Sequence, residues 1–413
     1  MRHFLIILGG NGAAQLVNLL GYPFLARLYS PEEFGLFGLF VAAAAVPGMV
    51  ACGRFEFAIP TAPKWGASSL LWLSFFVSAV IGFVSGGGAA IYWWTTSPEA
   101  GFAFPALLGL CVALIGICAA STMLVMRNDG YRTVSVSVLA RTAMVILSQV
   151  GLAFAAGGSL SLMVGFTLGL VVQAAILVSW IWRRLNPGRP QRRRMRAMFL
   201  HYRRQVAVDF PSTLVAALAG NILTFALAFL YDQRTVGFYS MGSRLAVVPL
   251  ALFNDALSQV FFQKASRAKA EKGHMWDELK FSVVTSGILS LGVLFAIVLF
   301  ARPFIGVFLG TTWLPAADML IVLSPMIAAR GLAMSIATTV FVLRSAHWLF
   351  VHNVATVILP LAACAAAVLL HLSPIGFLIV ASGLLFVEYA AFGGFLALAA
   401  KRDRARLARA EAI

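Results

Sequence analysis

The sequence predicts an all-α polytopic membrane protein with twelve transmembrane helices, and three observations lead there. Of 413 residues, 61% are hydrophobic and 11% charged, against about 45–50% and about 25% in a soluble domain, which leaves too little polar surface to face water. The apolar runs are long and continuous rather than alternating; a hydrocarbon core of about 30 Å takes about 20 such residues per helix, so helices are favoured over a barrel. The 31 Lys and Arg outnumber the 15 Asp and Glu, giving a formal charge of +16, and they gather in short connections beside the apolar runs, as positive-inside topology produces.

Taken in order, the spans fall at roughly 4–26, 35–53, 67–94, 102–126, 134–157, 160–182, 207–230, 236–262, 281–301, 315–343, 349–370 and 375–400. The first opens as Met1-Arg-His-Phe-Leu-Ile-Ile-Leu and soon meets Gly9-Gly10-Asn11-Gly12. It reads as an uncleaved first helix rather than a signal peptide. Placing the N-terminus in the cytoplasm puts on the inside Arg2, Arg54, Lys64, Arg127, Arg132, the nine Arg from Arg183 to Arg204, Lys264, Arg267, Lys269, Lys272, Lys280, Arg344 and the five basic residues from Lys401 to Arg409. That is 25 of the 31, with only Arg27, Arg234 and Arg302 outside. The split predicts both termini in the cytoplasm and an even number of spans.

A polar stretch near the middle, 183–206, carries Asn186-Pro187-Gly188 ahead of its Arg run and reads as a linker. It separates an N-terminal lobe, 1–182, from a C-terminal lobe, 207–400, which is followed by a basic tail, 401–413. Internal similarity supports the division. At an offset of 202 residues, Leu28-Tyr29-Ser30-Pro31-Glu32-Glu33-Phe34-Gly35-Leu36-Phe37 lies over Leu230-Tyr231-Asp232-Gln233-Arg234-Thr235-Val236-Gly237-Phe238-Tyr239, and Val46-Pro47 over Val248-Pro249. Six spans per repeat make the halves parallel, related by an axis along the membrane normal. The pairs Gly82/Gly86 and Gly165/Gly169 permit close helix contact and carry no functional weight.

Function classes narrow by what the sequence lacks. It has no P-loop, no His-Glu-x-x-His, no paired Cys ligands and no Gly-x-Ser-x-Gly. No enzyme, metal site or cofactor is expected. The four cysteines sit inside apolar segments and read as packing residues. The basic blocks lack interleaved aromatic platforms, so anionic membrane lipids, not nucleic acid, are their expected partners.

Chemistry therefore rests on ionisable groups inside spans, where each is costly unless satisfied. Arg141, Arg244 and Arg330 are the three intramembrane cations. Arg141 lies about 10 Å from the cytoplasmic side by the helical rise, so snorkelling or pairing competes with a cavity role, while Arg244 and Arg330 reach deeper and point to a polar cavity. Among the acids, Glu388 falls near the middle of the last span, Asp255 towards the end of span eight and Asp209 at the start of span seven. Glu388 and Asp255 are candidates for ion coupling; Glu388 is equally readable as a counter-ion for an arginine. Asn11, Gln15 and Asn18 share a face of the first span, and with Gln149 they either line a wet passage or bond helices together.

The stretch Leu25-Ala26-Arg27-Leu28-Tyr29-Ser30-Pro31-Glu32-Glu33-Phe34-Gly35-Leu36-Phe37, then Gly53-Arg54-Phe55-Glu56-Phe57-Ala58-Ile59-Pro60, resembles the opening of Wzx-type polysaccharide flippases of the multidrug/oligosaccharidyl-lipid/polysaccharide superfamily. Val236-Gly237-Phe238-Tyr239-Ser240, Val248-Pro249-Leu250 and Ser258-Gln259-Val260-Phe261-Phe262 look like the matching region of the second half. The resemblance implies a V-shaped bundle of two six-helix lobes, similar to multidrug exporters of that superfamily. It also implies transport of a polyprenyl-pyrophosphate-linked oligosaccharide across the inner membrane, with a polysaccharide polymerase and a chain-length regulator as partners. A cation-coupled multidrug exporter is the alternative within the superfamily. Against it stands the excess of deep arginines, which suits an anionic ligand. A membrane-embedded polysaccharide polymerase or ligase is the alternative of another class, and the short outside loops speak against it.

Overall fold

The computed structural model describes residues 2–96, 102–155, 157–343, 345 and 347–410. Among them are thirteen α-helices and no strand. They are α1 (Arg2–Leu28), α2 (Pro31–Met49), α3 (Lys64–Thr96), α4 (Ala103–Arg127), α5 (Tyr131–Ala155), α6 (Gly158–Leu185) and α7 (Arg192–Leu230), followed by α8 (Gln233–Lys272), α9 (Trp276–Phe308), α10 (Leu314–Ile336), the short α11 (Thr339–Val342), α12 (His347–Leu369) and α13 (Pro374–Ala410).

Ten helical segments among the described residues are long and apolar enough to cross a membrane. That replaces the expected twelve. The two expected spans outside the ten fall on α1 and α8, helices of 27 and 40 residues. The side chains over 2–8 of the first and 247–256 of the second, which carry much of the apolar run of each, lie outside the described residues. Span ten, expected as one helix over 315–343, is divided into α10 and α11 by the turn at Ala337 and Thr338.

Many large apolar side chains stand fully outward, Phe83 at 82% exposure and Phe229 at 83% among them. In water such a surface would aggregate, whereas in lipid it is the expected solvent-facing surface.

The chain forms two compact units, Met1–Asn221 and Ile222–Ile413, so the division falls inside α7 rather than in the 183–206 segment. That segment comprises the end of α6, a loop, and the basic first turns of α7. In the first unit α3 packs on α4, α5 on α6, α4 on α6, α2 on α4 and α1 on α5. In the second unit α9 packs on α10, α12 on α13, α10 on α13 and α8 on α10. Shifting each label by six helices, with α12 and α13 standing for α5 and α6, maps the second set of neighbours onto the first.

The repeated sequence explains part of this likeness locally. α1 ends at Leu28, and Ser30 then opens α2 with a reciprocal cap: its hydroxyl accepts from Glu33 N at 3.3 Å, and Glu33 Oε2 accepts from Ser30 N at 2.7 Å. In the second unit Asp232 does the same service for α8, accepting from Thr235 N at 2.9 Å. The tyrosine before each cap reaches a distant carbonyl: Tyr29 donates to Gln149 O at 2.6 Å, and Tyr231 to Leu372 O at 2.8 Å. Tyr29 is buried. Its replacement by Phe removes this hydrogen bond, while the Gln149 carbonyl keeps its place in the α5 ladder, and should cost about 0.5–1.5 kcal/mol, visible as a lower unfolding midpoint in detergent; an unchanged midpoint would show the bond to be idle.

Close approach of α3 and α4 depends on glycine. A Cβ on Gly82 would stand 2.6 Å from the Gly109 carbonyl oxygen, and one on Gly109 would stand 2.8 Å from that of Gly82. Both would collide with backbone, so neither position accepts a side chain without separating the helices.

Candidate functional site

In the second unit three helices bring polar groups together. Arg330 lies on α10, 16 residues after Leu314, or about 24 Å along the helix at 1.5 Å per residue. It is exposed, and among the described residues no carboxylate pairs with it. Tyr389 of α13 and Tyr239 of α8 lie within electrostatic reach of its guanidinium. Arg244, on α8, is half-buried and engaged by a neighbouring group.

Glu388 of α13 has a partner that sequence reasoning missed. Its Oε1 lies 2.7 Å from Nδ1 of His352 on α12, and the two side chains are only 12% and 4% exposed. The imidazole is stacked on Phe392 with ring centroids 4.2 Å apart, and Tyr389 lies 5.4 Å away on the same helix. The second carboxylate oxygen, Oε2, is buried and has no hydrogen-bond partner among the described residues. The expected choice for Glu388, between coupling an ion and neutralising an arginine, thus gains a third element: the side chain beside it is a histidine. No spacing signal announces a pair 36 residues apart on two helices. Asp255 lies on α8, and its side chain is outside the described residues.

In the first unit Arg141 of α5 donates from Nη1 to Gln173 Oε1 of α6 at 3.3 Å, and its guanidinium lies over the Phe166 ring at 5.6 Å. The helices meet here because residue 169 is glycine: a Cβ would stand 2.9 Å from the Arg141 carbonyl oxygen. Gln149, expected on a polar lining, is instead 1% exposed and donates to Leu162 O at 2.8 Å, while its own carbonyl holds Tyr29. It fastens α5 to α6 and lines nothing. Asn11, Gln15 and Asn18 remain a polar stripe on α1; Asn11 is exposed, the other two are half-buried, and none bonds to another described residue.

A further polar knot closes the loop between α2 and α3. Gly53 and Arg54 both turn left-handed, at φ 61° and 66°, a conformation Arg adopts only under constraint. The turn throws Glu56 inward, to 5% exposure, with Arg54 Nη1 at 3.6 Å from Oε1. Arg127 donates to the carbonyl of Ile59. Phe55 and Ile59 fill the apolar core beneath, with Leu70, Leu124, Leu177 and Met198. Burial pushes the Glu56 carboxyl above its ordinary value of 4.5 and Asp209 adds repulsion, while a backbone hydrogen bond and Arg54 oppose them. A raised carboxylate value means the folded state holds the proton more tightly, so this contribution to stability is complete below 4.5 and is lost as pH rises through the elevated value. Glu56→Gln should therefore flatten the fall of the unfolding midpoint as pH rises from 4.5. An unaltered profile would remove Glu56 as its source.

The fold is shared with solved transporters. An inward-facing multidrug resistance transporter of the MATE family, of the MOP superfamily, aligns with a TM-score of 0.71 at 15% identity, covering 94% of this chain and 96% of its own. The lipid II flippase MurJ in an inward closed conformation aligns with a TM-score of 0.75 at 14% identity, covering 95% of this chain and 87% of its own. A MOP superfamily transporter from Pyrococcus furiosus, described as having a binding pocket of reverse polarity, aligns at 0.60 with 14% identity over 98% and 94%. At these identities the likeness speaks for the fold. No curated protein sequence matches the chain significantly. The profile of one sequence family, described as polysaccharide biosynthesis protein, does match, over residues 24–318, which takes in both copies of the internal repeat and two of the three arginines, Arg141 and Arg244. The chain belongs to the polysaccharide biosynthesis protein family and has the all-α membrane fold of MOP superfamily transporters.

Proposed function

We propose that this protein is a flippase, carrying a polyprenyl-pyrophosphate-linked oligosaccharide from the cytoplasmic to the periplasmic leaflet of a bacterial inner membrane, with both termini cytoplasmic. The observation that carries the reading is Arg330, an exposed cation deep in an apolar helix without a carboxylate among the described residues. Exposed charge at that depth is expensive and is retained for a ligand. A pyrophosphate is a fitting one, because arginine is a permanent cation whose planar fork binds two phosphate oxygens.

Arg330 is the foremost contact in this proposal, and Arg244 and Arg141 are further contacts along the route. Arg141 is already bonded to Gln173 and stacked on Phe166, so it would have to exchange those partners for phosphate oxygens. Glu388, with His352, supplies the ion-coupling group. Family membership supports the glycan as cargo, and a polymerase and chain-length regulator would receive it. A cationic drug would need a free intramembrane carboxylate, whereas Glu388 is occupied by His352.

The test is reconstitution of the full chain into vesicles loaded on one leaflet with a lipid-linked oligosaccharide, read by its accessibility to an added glycosidase. Protein-dependent exposure of the sugar is expected. Absence of exposure together with uptake of cationic dyes would replace this reading by the exporter.

A further inference from the structure

The passage from α6 to α7 builds a small basic chamber that the transport reaction above does not use. α6 ends at Leu185, Asn186 turns left-handed at φ 40°, and Gly188 follows at φ 69°. The carbonyl of Gly188 accepts a hydrogen bond of 3.2 Å from the indole Nε1 of Trp72 on α3. Trp72 is itself set edge-on to Trp182 of α6, with centroids 6.1 Å apart. The loop is thereby pinned to the flank of α3 instead of hanging free.

Beside the pin lies a cavity of about 150 Å³ lined by Trp65, Ser68, Trp72, Gly188, Arg189 and Arg194, among others. Its polar groups are unspent. Ser69 next door gives its hydroxyl to the Trp65 carbonyl at 3.1 Å, but Ser68 has no hydrogen-bond partner among the described residues. Neither arginine has a carboxylate partner among them. Two guanidinium groups that line one small cavity without a carboxylate partner repel each other, and an anion between them relieves that repulsion. The two arginines are exposed, and the indoles place the chamber where α3 and α6 leave their apolar runs, the depth at which headgroups lie.

We propose that this chamber binds the phosphate of a membrane lipid, Arg189 and Arg194 forking its oxygens, Ser68 donating a further hydrogen bond, and Trp65 and Trp72 lining the lipid's glycerol or prenyl root. The space admits a phosphate group; a free sugar brings no charge to the arginines, and a zwitterionic headgroup brings its own cation beside them. The phosphate can come from an anionic phospholipid or from a polyprenyl phosphate carrier. The proposal rests on the membrane-spanning fold and the chamber, not on flipping.

Native mass spectrometry of the full chain, delipidated in detergent and titrated with phosphatidylglycerol, polyprenyl phosphate or phosphatidylcholine, tests it. One copy of a phosphate-anionic lipid should be retained in preference to phosphatidylcholine, and R189Q/R194Q should weaken its retention about tenfold or more. R189K/R194K, keeping charge without the fork, should fall between. R203Q/R204Q removes the same charge from an exposed stretch of α7 outside the chamber and should leave retention unchanged. Preference for polyprenyl phosphate over phosphatidylglycerol supports the site and names the carrier as its occupant; the reverse supports it with a phospholipid. Equal loss in R203Q/R204Q would show a diffuse basic surface, and equal retention of phosphatidylcholine would show no anion site; either overturns the proposal. Because the assay reads binding alone, failure here leaves the vesicle flipping assay to stand or fall separately.

Discussion

Arg330→Ala should abolish surface polysaccharide in cells that depend on this protein while leaving its amount in the membrane unchanged. A charge-assisted hydrogen bond contributes about 1.5–3 kcal/mol, so loss of the fork slows transport by about ten- to a hundredfold, enough to starve assembly. The stability of the fold gives no competing explanation, since the side chain is exposed and has no carboxylate partner among the described residues. Arg330→Lys keeps the charge without the bidentate geometry and should give partial export, whereas Arg330→Gln should behave as Ala. Arg141 provides the contrast. Its bonds to Gln173 and its place over Phe166 mean that Arg141→Ala loosens α5 from α6, and a lower unfolding midpoint should accompany any loss of export. Export at the wild-type level by Arg330→Ala would remove the pyrophosphate contact from the mechanism.

What could be read from the sequence follows from the range of each interaction. Membrane residence is compositional, so it survives any error in element boundaries. The repeat is legible at Leu28 and Leu230 because capping is local: Ser30 and Asp232 act within three residues of themselves, and a search for self-similarity finds them. Contacts across helices have no such signature. Gln149 looks like any polar residue suited to a wet lining until Leu162 and Tyr29 are placed beside it. His352 looks scattered until α12 lies along α13, where Trp348 also meets Phe395 with centroids 4.5 Å apart. The count of spans suffers in a different way. Hydropathy treats α10 and α11 as one run, since a turn at Ala337 costs no apolar residues. The linker is expected at 183–206, where the charge changes, while the bounds of the two compact units meet within α7, after Asn221.

The second large effect concerns the buried pair of α12 and α13. His352 and Glu388 share one short contact and are largely buried, and Glu388 Oε2 has no hydrogen-bond partner among the described residues. In the function proposed above this pair is the ion-coupling group, and a proton delivered to Glu388 would give Oε2 a hydrogen to share. Tyr389 and Phe392 of α13 lie against the imidazole, and Tyr389 is in turn within electrostatic reach of Arg330 on α10, so the pair is one residue removed from the proposed pyrophosphate contact. Removing one partner outright strands a buried group: Glu388→Ala should cost about 3–5 kcal/mol and lower the unfolding midpoint. Glu388→Gln is the informative variant, because the amide retains a hydrogen bond to the imidazole while it cannot exchange a proton. In proteoliposomes with an imposed proton gradient, the wild type should flip its lipid faster with the gradient than without and should discharge it, as reported by an internal pH dye. Glu388→Gln should fold normally, flip at one rate under both conditions and leave the gradient standing. A Gln variant that still responds to the gradient as the wild type does would reduce the pair to a structural tie between two helices.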